Sequence, residues 1–101
     1  MNIPDLANSA DRASEFLKSM ANPHRLRILC LIMEGERPVG EIAEAIGANQ
    51  SSVSQNLALM RREGLVAPRR DGQTIYYRIA EKKLVKVLKL LADMFCPPEK
   101  N

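Results

Sequence analysis

The 101-residue chain contains no tryptophan, two phenylalanines, one histidine and two cysteines. Each shortage excludes something. With His24 as the single imidazole, no clustered carboxylates and no phosphate-binding glycine loop, there is little from which to build an active site. An enzyme is therefore not expected, and no catalytic residue and no cofactor is assigned. Two cysteines cannot form the framework of a small disulfide-rich secreted domain. No apolar run approaches the roughly 20 residues of a membrane span, and the N-terminus lacks a basic-then-apolar signal pattern. A cytoplasmic protein with no membrane partner is the expectation. There is no internal repeat, low-complexity tract or long linker, so residues 1–101, 46% of them hydrophobic, are read as one domain with a modest core.

What is present begins at Val39. In VGEIAEAI, residues Val39, Ile42, Ala43 and Ile46 recur at helical spacing, and Gly47 supplies a left-handed stop. Asn49 is a good N-cap for a second helix from Gln50 to Glu63, ending at Gly64. Its apolar positions Val53, Leu57 and Met60 form one stripe, which leaves Gln50, Ser51, Ser54 and Gln55 outward at the N-terminal end. That is where a helix-turn-helix reaches base edges. Gln can bond adenine bidentately and Ser can donate or accept at several groups.

Leu65–Arg70 and Gln73–Ile79 are β-prone segments flanking Asp71-Gly72, a hairpin signal. Ile75, Tyr77 and Ile79 alternate with Thr74, Tyr76 and Arg78, as a half-buried strand requires. Pro68 fits only an edge position or a strand end, which a two-stranded wing provides. Residues 39–64 thus read as a helix-turn-helix and 65–79 as a two-stranded wing. The fold class is mainly α with a small β-hairpin, a winged helix-turn-helix.

Charge supports a polyanionic partner. Residues 1–48 carry five basic and seven acidic groups, whereas residues 49–101 carry ten and five. Arg61, Arg62, Arg69, Arg70, Arg78, Lys82 and Lys83 are suited to phosphate neutralisation, which supplies affinity without sequence information. The DNA-contact set is Gln50, Ser51, Ser54, Gln55, Arg62, Arg69, Arg70 and Gln73.

The flanking segments point to a homodimer. From residue 84 to 96 only Lys86, Lys89 and Asp93 are polar, on one narrow stripe, so most of the helix circumference must be buried. Near the N-terminus Leu6, Ala10, Ala13, Leu17 and Met20 make another apolar stripe. Segments 1–21 and 81–96 are the dimerisation helices. Two recognition helices related by a two-fold axis would read double-stranded operator DNA as an inverted repeat, with half-sites about one helical turn apart.

Cys30 shares a stripe with Leu26, Leu29 and Met33, and Cys96 closes the last helix before Pro97-Pro98. On the residues alone, the two thiols are either small buried hydrophobes or a functional pair.

The segments LKSMANPHRLRIL, PVGEIAEAIGANQSSVSQNLALMRREGLV and RRDGQTIYYRI resemble the ArsR/SmtB family of bacterial transcriptional repressors over nearly the whole chain. The resemblance implies a homodimeric winged helix that leaves its operator when an inducer is sensed. It places Gln50, Ser51, Ser54 and Gln55 on recognition-helix positions, while Asn56 stands where many members carry His. Metal-sensing members place cysteine in the helix matching Val39–Ile46, or Asp and His along the final helix. This chain offers VGEIAEAI and Asp93 there, so no metal site is assigned, and His24 reads as a surface residue.

The placement of Cys30 and Cys96 looks like the dithiol branch of that family. In that branch persulfide or oxidant, the small reactive inducer, joins two thiols of one subunit by a disulfide or polysulfide bridge. Arg27, one turn before Cys30, favours its thiolate and burial opposes it, so which thiol attacks stays open. Three other readings stay open. They are a metal-responsive repressor using the thiolates, an anti-repressor or activator of the same fold, and a protein-interaction module that never binds DNA.

Overall fold

The computed structural model describes residues 2–97. Met1 and residues 98–101, the ends of the expected domain, lie outside them. The order is α1 (Ile3–Met20), α2 (Pro23–Met33), β1 (Arg37–Pro38), α3 (Val39–Ile46), α4 (Gln50–Arg62), β2 (Val66–Asp71), β3 (Thr74–Ile79) and α5 (Lys82–Phe95).

Short polar side chains start the helices. Asn2, Asn22 and Asn49 each turn a side-chain oxygen onto backbone N–H groups of the first turn of α1, α2 and α4. Glu81 does the same for α5. Two glycines stop them. Gly47 (φ 68) ends α3, and Gly64 (φ 79) ends α4 with Leu65 N donating to Met60 O at 2.9 Å and Gly64 N to Arg61 O at 3.0 Å. These two bonds make a Schellman motif, whose left-handed residue is glycine because a Cβ there is strained.

The expected two-stranded wing is a three-stranded antiparallel sheet of order β1-β3-β2. Arg37 and Pro38 pair with Tyr77 and Tyr76 on the free side of β3. A two-residue strand has no alternation to read, so its pairing is decided by the fold around it. The hairpin turn is also displaced by one residue. Asp71 pairs with Thr74, which makes Gly72-Gln73 the loop, with a positive φ at Gly72 and not at Gln73. That is the II′ pattern, which needs one glycine, at the first loop position. Pro68 lies on the edge strand β2, opposite Tyr77.

The core is formed where α2, α3, α4 and α5 meet the sheet. Ile28, Leu29, Ile42, Val53, Leu57, Met60, Leu84 and Leu88 are fully buried. The stripe of α4 is thus wholly internal, and its polar N-terminal face is the one left open. By contrast α1 buries Met20 and partly covers Phe16, while Ile3, Leu6 and Leu17 remain exposed. On α5, Leu84 and Leu88 enter the core, but Leu90, Met94 and Phe95 are 59%, 62% and 76% exposed.

Candidate nucleic-acid interface and thiol groove

Gln50, Ser51, Ser54 and Gln55 are all exposed on the first turns of α4. Gln50 and Ser54 line a groove of about 340 Å³ together with Gln73, Thr74 and Ile75 of the hairpin and Pro38, Val39 and Gly40 at the start of α3. One side chain set of the recognition helix and the loop residue Gln73 therefore meet in one opening, though they are far apart in sequence. Asn56 is half-buried and its amide Nδ2 donates to Ser52 O at 3.1 Å, so it is turned onto its own helix. This bond engages the side chain at the position where many family members carry His.

The basic residues separate into different environments. Arg62 is exposed at the last turn of α4. Neighbouring strand residues point to opposite faces, so Arg69 and Arg70 diverge. Arg70 shares an opening with Arg61, Pro68, Ile75 and Tyr77. Arg69 is engaged by Glu36, a partner that sequence spacing gave no reason to suspect, because 33 residues separate them. The Arg69 guanidinium beside Glu36 holds that carboxyl below its ordinary range. A further long-range contact fixes α4: Arg25 Nη1 donates to Glu63 Oε2 at 2.9 Å and to Ser19 O at 2.7 Å.

Cys30 and Cys96 are brought together. Both are free thiols, the first half-buried and the second exposed, and both line a groove of about 550 Å³ with Met33, Glu34, Ala92, Asp93 and Pro97. Cys30 also lines a second opening toward α3, about 480 Å³, with Arg27, Leu31, Glu34, Ala45 and Ile46. Burial pushes the Cys30 thiol up, and the neighbouring Cys96 pushes it further in the same direction. His24 departs from the expected surface position: it is half-buried, and its Nε2 is out of contact with solvent without a hydrogen-bond partner. Among the described residues no three His, Cys, Asp or Glu side chains converge as metal ligands, and no helix is long and apolar enough to cross a membrane.

A capped recognition helix with an open polar N-terminal face, preceded by a glycine-stopped helix and followed by a hairpin wing, defines a winged helix-turn-helix of the DNA-binding class. Residues 22–67 match the family of bacterial regulatory proteins described as the arsR family. The chain is 36% identical over 96 residues to the transcriptional activator HlyU of Vibrio cholerae, covering 95% of this chain and 89% of the relative. The structure of reduced HlyU superposes with a TM-score of 0.88, at 35% identity and over 94% of this chain and 100% of that one. The transcriptional repressor BigR of Xylella fastidiosa gives a TM-score of 0.86 at 35% identity, covering 97% and 100%. A homodimeric winged helix-turn-helix DNA-binding domain from Mycobacterium bovis gives 0.73 at 32% identity, covering 100% and 97%. This chain belongs to the ArsR family. It is a DNA-binding transcriptional regulator and not an enzyme.

Proposed function

We propose that the chain is a homodimeric repressor that releases its operator when Cys30 and Cys96 are bridged by persulfide or oxidant. The observation that carries this reading is the groove shared by the two thiols, one at the core edge of α2 and the other at the end of α5. A thiolate attacks the sulfane sulfur of a persulfide, R–S–SH, taking that sulfur as Cys–S–SH and releasing the thiol R–SH. The second thiolate then attacks the protein-bound sulfur nearest the cysteine, closing Cys–S–S–Cys and expelling hydrosulfide. With both thiols persulfidated, attack of one outer sulfur on the inner sulfur of the other closes a trisulfide and expels hydrosulfide, whereas joining the two outer sulfurs as a tetrasulfide needs one further persulfide as oxidant, released as R–SH and hydrosulfide. A peroxide reaches the disulfide through a sulfenic acid and loss of water.

The exposed Leu90, Met94 and Phe95 on α5 and Ile3, Leu6 and Leu17 on α1 support a dimer through the terminal helices, since a patch of this kind is costly to leave in water. A two-fold pair of α4 helices would read an inverted repeat. Closing the thiol groove would then shift α5 against α2, and with it the spacing of the two recognition helices.

Operator binding by wild type, Cys30→Ser and Cys96→Ser before and after persulfide treatment, with mass spectrometry of the same samples, tests the reading. Release confined to wild type, with a mass change corresponding to a bridge, is the expected result. Equal release by Cys30→Ser would end the thiol mechanism. The name of the Vibrio cholerae relative, an activator, favours a second reading in which the same switch acts by displacing another protein from DNA. Transcription from a reporter with and without that competitor separates the two.

A further inference from the structure

The Arg69 side chain is held on three sides. Its Nε donates to Glu36 Oε1 and Oε2 at 2.9 and 3.1 Å, and Nη2 donates to Oε1 as well. Nη1 lies 4.0 Å from Asp71 Oδ2. The guanidinium carbon sits 4.7 Å from the centroid of the Tyr76 ring. A guanidinium has two edges that can meet a carboxylate or a phosphate, Nε–Nη2 and Nη1–Nη2. In Arg69 the Nε–Nη2 edge is occupied by Glu36, and Nη1 on the other edge lies beside Asp71.

The position of the pair in the sheet gives it a role. Glu36 immediately precedes β1, Arg69 lies on β2, and Tyr76 on the central strand β3 is opposite both Pro38 and Arg69. Alternation puts Glu36, Tyr76 and Arg69 on one face of the sheet. The ion pair therefore spans the central strand, joining its two outer neighbours over the tyrosine ring. Arg70 points to the other face and has no ion pair among the described residues.

We propose that Arg69 is a positioning residue for DNA binding, locked to Glu36, and that it does not ligate phosphate. The lock sets where the hairpin tip, with Arg70 and Gln73, meets the nucleic acid. The inference rests on DNA binding alone and is independent of the thiol chemistry.

A double-mutant cycle of Arg69→Gln and Glu36→Gln tests it, with a duplex selected from a random-sequence pool by the wild-type protein as probe. Both side chains are exposed, so the fold is retained. Arg69→Gln is expected to weaken binding about fivefold in the wild-type background and by less than about twofold in the Glu36→Gln background, because the partner is already gone. The slope of log affinity against log salt is expected to stay at its wild-type value. A phosphate ligand behaves otherwise: Arg69→Gln lowers that slope by about 0.9 and costs as much with Glu36 removed. Either of those results, or no effect of Arg69→Gln on affinity, overturns the proposal.

Discussion

Arg25, at the start of α2, reaches 38 residues along the chain to Glu63 at the end of α4, and the same nitrogen holds the carbonyl of Ser19. Its side chain is 15% exposed, while Glu63 is 42% exposed. The helix entering the core and the proposed recognition helix are thus fastened at one point. Arg25→Leu is expected to cost about 1–2 kcal/mol in urea unfolding, since it removes a charge-assisted bond and leaves a backbone carbonyl without its donor. A cost within about 0.3 kcal/mol would mean that solvent screening cancels the contact.

Cys30 has a pKa raised above the ordinary thiol value of 9.0, first by burial and then by Cys96. An acid with a raised folded pKa holds its proton longer in the native state than in the unfolded chain. Its contribution to stability is therefore complete below the unfolded value and is lost as pH rises from about 9 through the folded value. Unfolding free energy should fall over that alkaline range in wild type and fall less in Cys30→Ala. Cys96→Ser should also move the pH profile of Cys30 alkylation to lower pH, because one of its two causes is removed. An unmoved profile would show that the thiols do not sense each other.

Arg70 and Gln50 are expected to fail differently. Arg70→Gln should weaken DNA binding on all sequences alike and lower the salt slope by about 0.9, as loss of one phosphate contact does. Gln50→Ala should leave the slope alone and reduce discrimination at one base pair by about 1–3 kcal/mol. Binding measured on the selected duplex and on a scrambled one, at several salt concentrations, separates the two outcomes.

Met94 and Phe95 are exposed apolar residues at the end of α5. The double substitution to lysine should leave helix content unchanged and convert the dimer to monomer in sedimentation equilibrium. A dimer that persists would place the interface elsewhere.

Much of this architecture was legible because local chemistry wrote it. Asn49, Gly47 and Gly64 mark helix ends by their own side chains or lack of one, and Val53, Leu57 and Met60 recur at helical spacing. What was not legible depends on partners distant in sequence. Arg37 and Pro38 become a strand only because β3 offers a free edge. Arg69 and Arg70 are alike as a sequence pair, and the sheet separates them by giving one a carboxylate and the other an opening toward Arg61. Helical spacing sets Arg27 one turn before Cys30 but cannot weigh that charge against burial, and in the fold burial is the larger influence on the Cys30 thiol. Cys30 and Cys96 were matched by family resemblance, and only the packing of α5 beside α2 shows them facing one groove.

Three residues, Glu34 to Glu36, separate the helix that carries Cys30 from the strand that edges the sheet. Such a stretch spans at most about 10 Å when fully drawn out, so little slack lies between thiol and hairpin. β1 is hydrogen-bonded to β3, and β3 is one arm of the hairpin. A tilt of α2 would consequently pass into the sheet within a single protomer, as a rudder follows its stock. In the proposed switch, closure of the thiol groove would reach the hairpin by this short route within one protomer.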